Sequence, residues 1–213
     1  MRVNKVVPWQ KIGKEVVVAI SQDKKLTIQR FKNPSTGKIQ AFHRYIQPNW
    51  SIILPITDNG KVITCRQYYQ GVEQILQHLP GGNADFTKEN PYDVAKRELL
   101  EETGYEAQEV IFLGTIPLSA RNSTTMTSLF LALGCKNAKN VPLDKDELIE
   151  IVIEKLEDWV LKTFTEIRET PSMVATHLAL PWLRKKFDVD LNKILDLAYS
   201  QRSEKETLIT SRS

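Results

Sequence analysis

Residues 82–105 read GNADFTKENPYDVAKRELLEETGY, and the helix inside this stretch sets how the rest of the chain is interpreted. Asn90 can cap a helix whose first position is Pro91, Asp93 falls in the first turn, and Gly104 stands where a left-handed residue ends the last turn. The spacing predicts a helix over 91–103. At 100° per residue Glu98, Glu101 and Glu102 fall within about 100° of one another, so three carboxylates share one face. Tyr92, Ala95, Leu99 and Thr103 form the adjoining, mostly apolar stripe. Arg97 precedes Glu101 by one helical turn and can brace it. Like charges so placed repel by a few tenths of a kcal/mol, about 0.2–0.5 per exposed pair, and by more where water is excluded. A positive partner is expected. Oxygen donors without neighbouring Cys or His suit a hard cation, Mg²⁺ or Mn²⁺, better than Zn²⁺. A solvated, salt-bridged surface helix is the plain alternative, and helix periodicity alone does not separate the two. Gly81 and Gly82, which let backbone approach a ligand, and Glu89 just before the cap favour the ligand reading.

Upstream, Val16–Ile20, Leu26–Phe31, Gln40–Ile46, Ser51–Thr57 and Lys61–Tyr69 have strand length and strand composition. Asn33-Pro34-Ser35-Thr36-Gly37 and Asp58-Asn59-Gly60 punctuate them as turns. Downstream, strands are expected at Val110–Ile116, Thr127–Leu133 and Ile149–Glu154, and helices at Leu156–Lys162 and Ser172–Lys186. This irregular alternation favours a mixed α/β sandwich over a doubly wound parallel sheet. Residues 1–46 are expected to form a small N-terminal β subdomain, 47–190 the main domain, and 191–213 a helical tail whose polar end from Gln201 frays.

The chain has 213 residues, enough for one core without disulfides or structural metal. A net charge of +3 is too small to argue for nucleic acid. No apolar run approaches the roughly 20 residues of a membrane span, and Met1–Gln10 lacks the apolar core of a signal peptide. Cys65 and Cys135 sit in apolar strands and read as reduced core thiols, so a cytoplasmic setting is expected. His43, His78 and His177 show no metal or triad spacing.

The stretch 82–105 resembles the Nudix box: Gly, five residues, Glu, seven residues, Arg-Glu, apolar, any, Glu-Glu, any, Gly, apolar. Glu89, Arg97, Glu98, Leu99, Glu101, Glu102, Gly104 and Tyr105 match in register, and the one departure is a sixth residue between Gly82 and Glu89. Outside the box, Arg66-Gln67-Tyr68-Tyr69 is similar to the Arg-Gln-Tyr-Arg strand of ADP-ribose pyrophosphatases. Leu113-Gly114-Thr115, Leu129–Ala132 and Glu166-Ile167-Arg168 also follow that subfamily. The resemblance covers residues 45–186. Ser119-Ala120-Arg121-Asn122 and Thr124-Thr125 depart from it, where a Ser-Pro-Gly and an acidic pair are usual.

The resemblance implies an α/β/α sandwich with a mixed sheet, joined to an N-terminal antiparallel sheet that can serve dimerisation. It implies a Mg²⁺-dependent pyrophosphohydrolase, with Mn²⁺ an alternative ion, cleaving a nucleoside diphosphate sugar such as ADP-ribose. The other readings are a different nucleoside diphosphate derivative (ADP-glucose, GDP-mannose, NADH or a dinucleoside polyphosphate) or a nucleotide-sugar-binding regulatory module. Glu98 and Glu102 would be the main metal ligands, Glu101 a further ligand or water-orienting base, and a carbonyl at Gly81 or Gly82 would complete a site. Arg97 would hold the glutamates. Asp144, Asp146 and Glu147 offer a catalytic acid outside the box, Glu147 first among them. Arg66 is a candidate for a substrate phosphate, and Trp9 and Tyr69 for stacking on a nucleobase.

Overall fold

The computed structural model describes residues 6–22, 24–84, 89–138 and 148–210. Two compact units emerge: residues 1–49 with 117–126, and residues 50–116 with 127–213.

In the first unit β1 (Gln10–Ser21), β2 (Lys24–Lys32) and β3 (Ile39–Ile46) form an antiparallel sheet in that order. Segment 117–126 joins it by main-chain bonds at one residue of β3. Tyr45 donates to the Asn122 carbonyl at 2.7 Å and accepts from the Thr124 amide at 3.0 Å. The residues that depart from the ADP-ribose pyrophosphatase pattern, Ser119–Asn122 and Thr124-Thr125, all lie in this returning segment. As an edge strand β1 leaves Val16, Val17, Val18 and Ile20 exposed.

The second unit is built on a mixed sheet ordered β11 (Glu150–Lys155), β5 (Lys61–Tyr69), β4 (Trp50–Thr57), β10 (Met126–Asn137), β8 (Tyr105–Glu106). Strand β6 (Gln74–His78) pairs with β5, β7 (Gly81–Asn83) with β4, and β9 (Glu109–Pro117) with β10. The β4–β10 pair is parallel, with Ile53 opposite Phe130 and Leu54 opposite Leu131. Period-two alternation divides these strands between two cores. Ile52, Leu54, Ile56, Val62, Leu129 and Leu131 face α2 (Leu156–Thr165) and α3 (Thr170–Phe187), where Trp159, Val160, Ala175, Ala179 and Leu183 are buried. Ile53, Ile63, Phe130 and Ala132 face the other way, onto Ala95 and Leu99 of α1 (Pro91–Thr103). A sheet apolar on both faces needs a helical layer on each, and the result is an α/β/α sandwich. The polar tail continues as helix α4 (Leu191–Thr210), well past the point at which its sequence reads as frayed. No helix of the described residues is long and apolar enough to cross a membrane.

Helix α1 begins and ends where its sequence places it. The Asn90 side chain accepts the Tyr92 amide at 3.0 Å, and Gly104, at φ 71°, donates to the Leu100 carbonyl at 2.8 Å. A Cβ at that φ is strained. Gly104→Ala is therefore expected to lower unfolding stability by about 1 kcal/mol, measured as the shift in urea midpoint.

Candidate active site

Glu98, Glu101 and Glu102 lie in the last two turns of α1, and its final turn carries no basic residue. The negative end of the helix dipole makes this an unfavourable place for anions, by about 0.3–1 kcal/mol each. Arg97 supplies part of the relief. Its Nη1 donates to Glu98 Oε1 and Glu101 Oε2, both at 2.8 Å. Nε donates to Glu89 Oε1 at 3.1 Å, and Nη2 to Glu89 Oε2 at 3.3 Å and to the Asn83 carbonyl at 3.2 Å. All five N–H donors of the guanidinium are thus committed. The bonds from Glu89, then those from Glu101 and Glu98, raise the Arg97 pKa above its already high ordinary value, so it stays charged.

Glu102 is treated differently. It is 7% exposed, and its Oε2 accepts from the thiol of Cys65 on β5 at 3.5 Å. Glu98 and Glu102 line one cavity of about 280 Å³. Its other walls are Trp50 of β4, Gln67 and Tyr69 of β5, the β7 residues Gly81, Gly82 and Asn83, and Arg97. Gly82 leaves room for the Glu98 carboxylate, which a Cβ there would displace. Gly81 is the more confined, since its Cβ would lie 2.5 Å from the backbone carbonyl oxygen of Ser51.

The donor set fits a hard divalent cation. Glutamates 98 and 102 and the glycine backbone border the same space, and Mg²⁺ is commonly held by one or two carboxylates with water and phosphate oxygens in its other positions. Among the described residues no cluster of three or more His, Cys, Asp or Glu side chains converges on a metal position.

The remaining candidates are spread more widely. Tyr69 borders the cavity and meets His78 edge-on, ring centroids 5.4 Å apart. Glu101 is half-exposed, bound to Arg97, and does not line the cavity. Arg66 does not line it either. Strand alternation puts Arg66 with Val62 on the opposite face of β5, where its Nη1 is 3.6 Å from Glu150 Oε2 and it borders separate cavities of about 670 and 360 Å³. Trp9 packs edge-on against Phe42 in the N-terminal unit, centroids 5.6 Å apart. Asp144, Asp146 and Glu147 lie outside the described residues. Sequence reasoning missed Trp50, Gln67, the Asn83 carbonyl and the polar partner of Cys65. The period of β5 would have found two of these, because Tyr69 facing the cavity requires Gln67 and Cys65 on the same side.

A family model for the NUDIX domain matches residues 46–172. The chain belongs to the Nudix family. It is 33% identical over 113 residues to an ADP-ribose pyrophosphatase of Bacillus subtilis (strain 168), covering 52% of this chain and 60% of that protein. It is 29% identical over 106 residues to a methanol dehydrogenase activator of Bacillus methanolicus, covering 49% of this chain and 57% of that one. The chain thus spans less than two thirds of the length of either curated relative. A crystal structure of an ADP compounds hydrolase superposes with a TM-score of 0.75 at 22% identity, over 87% of this chain and 100% of that chain, a likeness of fold.

Behind the Nudix cavity, His78 is opposite Cys65 in the β5–β6 ladder and 3% exposed. Its Nδ1 is 2.9 Å from the Leu79 carbonyl, which can only accept, so Nδ1 carries the proton and Nε2 is an acceptor that has no hydrogen-bond partner among the described residues. Burial pushes the imidazole pKa below its ordinary value, with the Leu79 bond opposing. The folded protein therefore holds His78 neutral while the unfolded chain protonates it, and stability is lost as pH falls below about 6.5 towards the depressed folded value. Glu169 acts with the opposite sign: burial raises its pKa despite the Ser172 bonds, so its contribution weakens as pH rises from about 4.5. His78→Gln is expected to flatten the fall in urea midpoint as pH drops below about 6.5. An unchanged slope would assign that fall to other groups.

Proposed function

We propose that this protein is a divalent-cation-dependent pyrophosphohydrolase that cleaves the diphosphate of a nucleoside diphosphate sugar, with ADP-ribose the leading substrate. Water would add across the P–O–P bridge to give AMP and ribose 5-phosphate. The observation that carries the reading is the placing of Glu98 and Glu102 in one cavity with the glycine backbone of β7 and the aromatic walls of Trp50 and Tyr69. Membership of the Nudix family and the likeness to the Bacillus subtilis ADP-ribose pyrophosphatase support it.

In this reading Glu98 and Glu102 hold Mg²⁺ or Mn²⁺, helped by a carbonyl at Gly81 or Gly82. A bound divalent cation supplies neutralisation of diphosphate charge and polarisation of the bond that breaks. Arg97 fixes the glutamates instead of binding substrate, since its donors are already committed to Glu89, Glu98, Glu101 and Asn83. Glu101, released from Arg97, or Glu147 takes the proton of the attacking water. Tyr69 and Trp50 give the base or sugar an apolar surface, and Gln67 gives a polar contact. Arg66 has no part at this cavity.

A second reading keeps the reaction and changes the substrate to ADP-glucose, GDP-mannose, NADH or a dinucleoside polyphosphate. It is favoured by Tyr69, which stands where the related strand ends in arginine. A homodimer formed through the N-terminal sheet belongs to the same proposal, motivated by the exposed valines of β1; a sedimentation mass near 24.4 kDa would remove it. Purified protein is expected to release AMP from ADP-ribose with Mg²⁺ and to stop on chelation. Glu102→Gln, which removes a charge and little volume, should lower turnover by about 10³-fold, an effect of roughly 4 kcal/mol on the barrier, with an unchanged unfolding midpoint. No metal-dependent cleavage of any of the five compounds would overturn the proposal.

A further inference from the structure

We infer that Cys65 is a positioning residue of the site, its thiol aiming the Glu102 carboxylate from the sheet side; this rests on the reading of Glu102 as a cation ligand. Three observations place it there. Cys65 is fully buried on the α1 face of β5, a strand hydrogen-bonded to β4, β6 and β11. Its Sγ lies 3.5 Å from Glu102 Oε2, within reach of an S–H···O bond. Glu102 itself is 7% exposed on the cavity wall, where a carboxylate without a donor is costly.

The two carboxylates of the cavity are thereby held from different elements. Arg97 draws Glu98 along the helix, whereas Cys65 fixes Glu102 from a strand whose position is set by three neighbours. A thiol suits this role. It is a weak donor, so it orients the carboxylate without neutralising it as a guanidinium would. The neighbouring His78 cannot replace it as donor, because its one proton goes to the Leu79 carbonyl.

The test uses the full chain without substrate, with Mn²⁺ affinity read by electron paramagnetic resonance for wild type, Glu102→Gln, Cys65→Ala, Cys65→Val and Cys65→Ser. Loss of a partner that orients a metal ligand costs about 10–100-fold in affinity. Cys65→Ala and Cys65→Val are expected to weaken Mn²⁺ binding by about tenfold. Cys65→Ser, which restores a donor, should stay within about twofold of wild type. A rate lost at limiting metal and recovered at saturating metal, with KM for ADP-ribose unchanged, places the effect on the metal side. Affinity in the alanine and valine variants equal to wild type, while Glu102→Gln loses it, overturns the role of Cys65 alone. Unimpaired binding in Glu102→Gln overturns the reading of the site and this inference with it. The infrared S–H stretch of Cys65, identified by its loss in Cys65→Ser, reports the contact in protein with the native thiol. It should move to higher frequency in Glu102→Gln, and a stationary band overturns the inference even if the alanine and valine variants fail to fold.

Discussion

Everything at the candidate site depends on one guanidinium having no donor to spare. Arg97 reaches back to Glu89 before the helix, sideways to the Asn83 carbonyl of β7, and along α1 to Glu98 and Glu101. It thus ties Glu89, the short strand and the helix together. Lysine could not do the same, since a point charge with three donors lacks the planar fork that satisfies acceptors on several sides. The arrangement also divides the glutamates by task. Those bonded to Arg97 share one positive charge before any ligand arrives, whereas Glu102 is turned inward and accepts from the Cys65 thiol.

The sheet supplies the complementary constraint. A two-residue period distributes β5 between opposite environments: Ile63, Cys65, Gln67 and Tyr69 towards α1, and Val62, Thr64 and Arg66 towards α2 and α3. Shifting the register by one would exchange the cavity wall for a row of hydrophobic and cationic side chains. The packing of Leu54 and Val62 against Trp159 and Val160 therefore does more than stabilise the core. Burying such side chains, at roughly 1.5–3 kcal/mol each, also fixes which face of β5 looks at the glutamates.

Helix α1 was legible in the sequence because its determinants are local. Asn90, Pro91 and Gly104 act within a turn of themselves, and the three glutamates share a face by helical period alone. The two-sided sheet was legible through its apolar strands. Strands β6 and β7 were not: Gly81-Gly82-Asn83 carries no strand propensity and is extended only because Ile52 and Trp50 lie alongside it. Arg66 shows the other limit. A match to a known strand motif does not say which way a side chain points, whereas counting in twos from Val62 or Ile63 does. Cys65 reads correctly as buried, yet its contact with Glu102 joins positions 37 apart in the chain and leaves no mark on either neighbourhood.

The return of segment 117–126 to the N-terminal unit changes the topology of the whole chain. The polypeptide passes between the units at 49–50, 116–117 and 126–127 instead of crossing a single hinge peptide. No one scission can free either unit as an intact piece, and the first unit is complete only after Met126 has been synthesised. Nascent β3 must wait for more than 70 further residues before Tyr45 can meet Asn122 and Thr124. The N-terminal sheet is therefore an interleaved part of the architecture and not a detachable prefix.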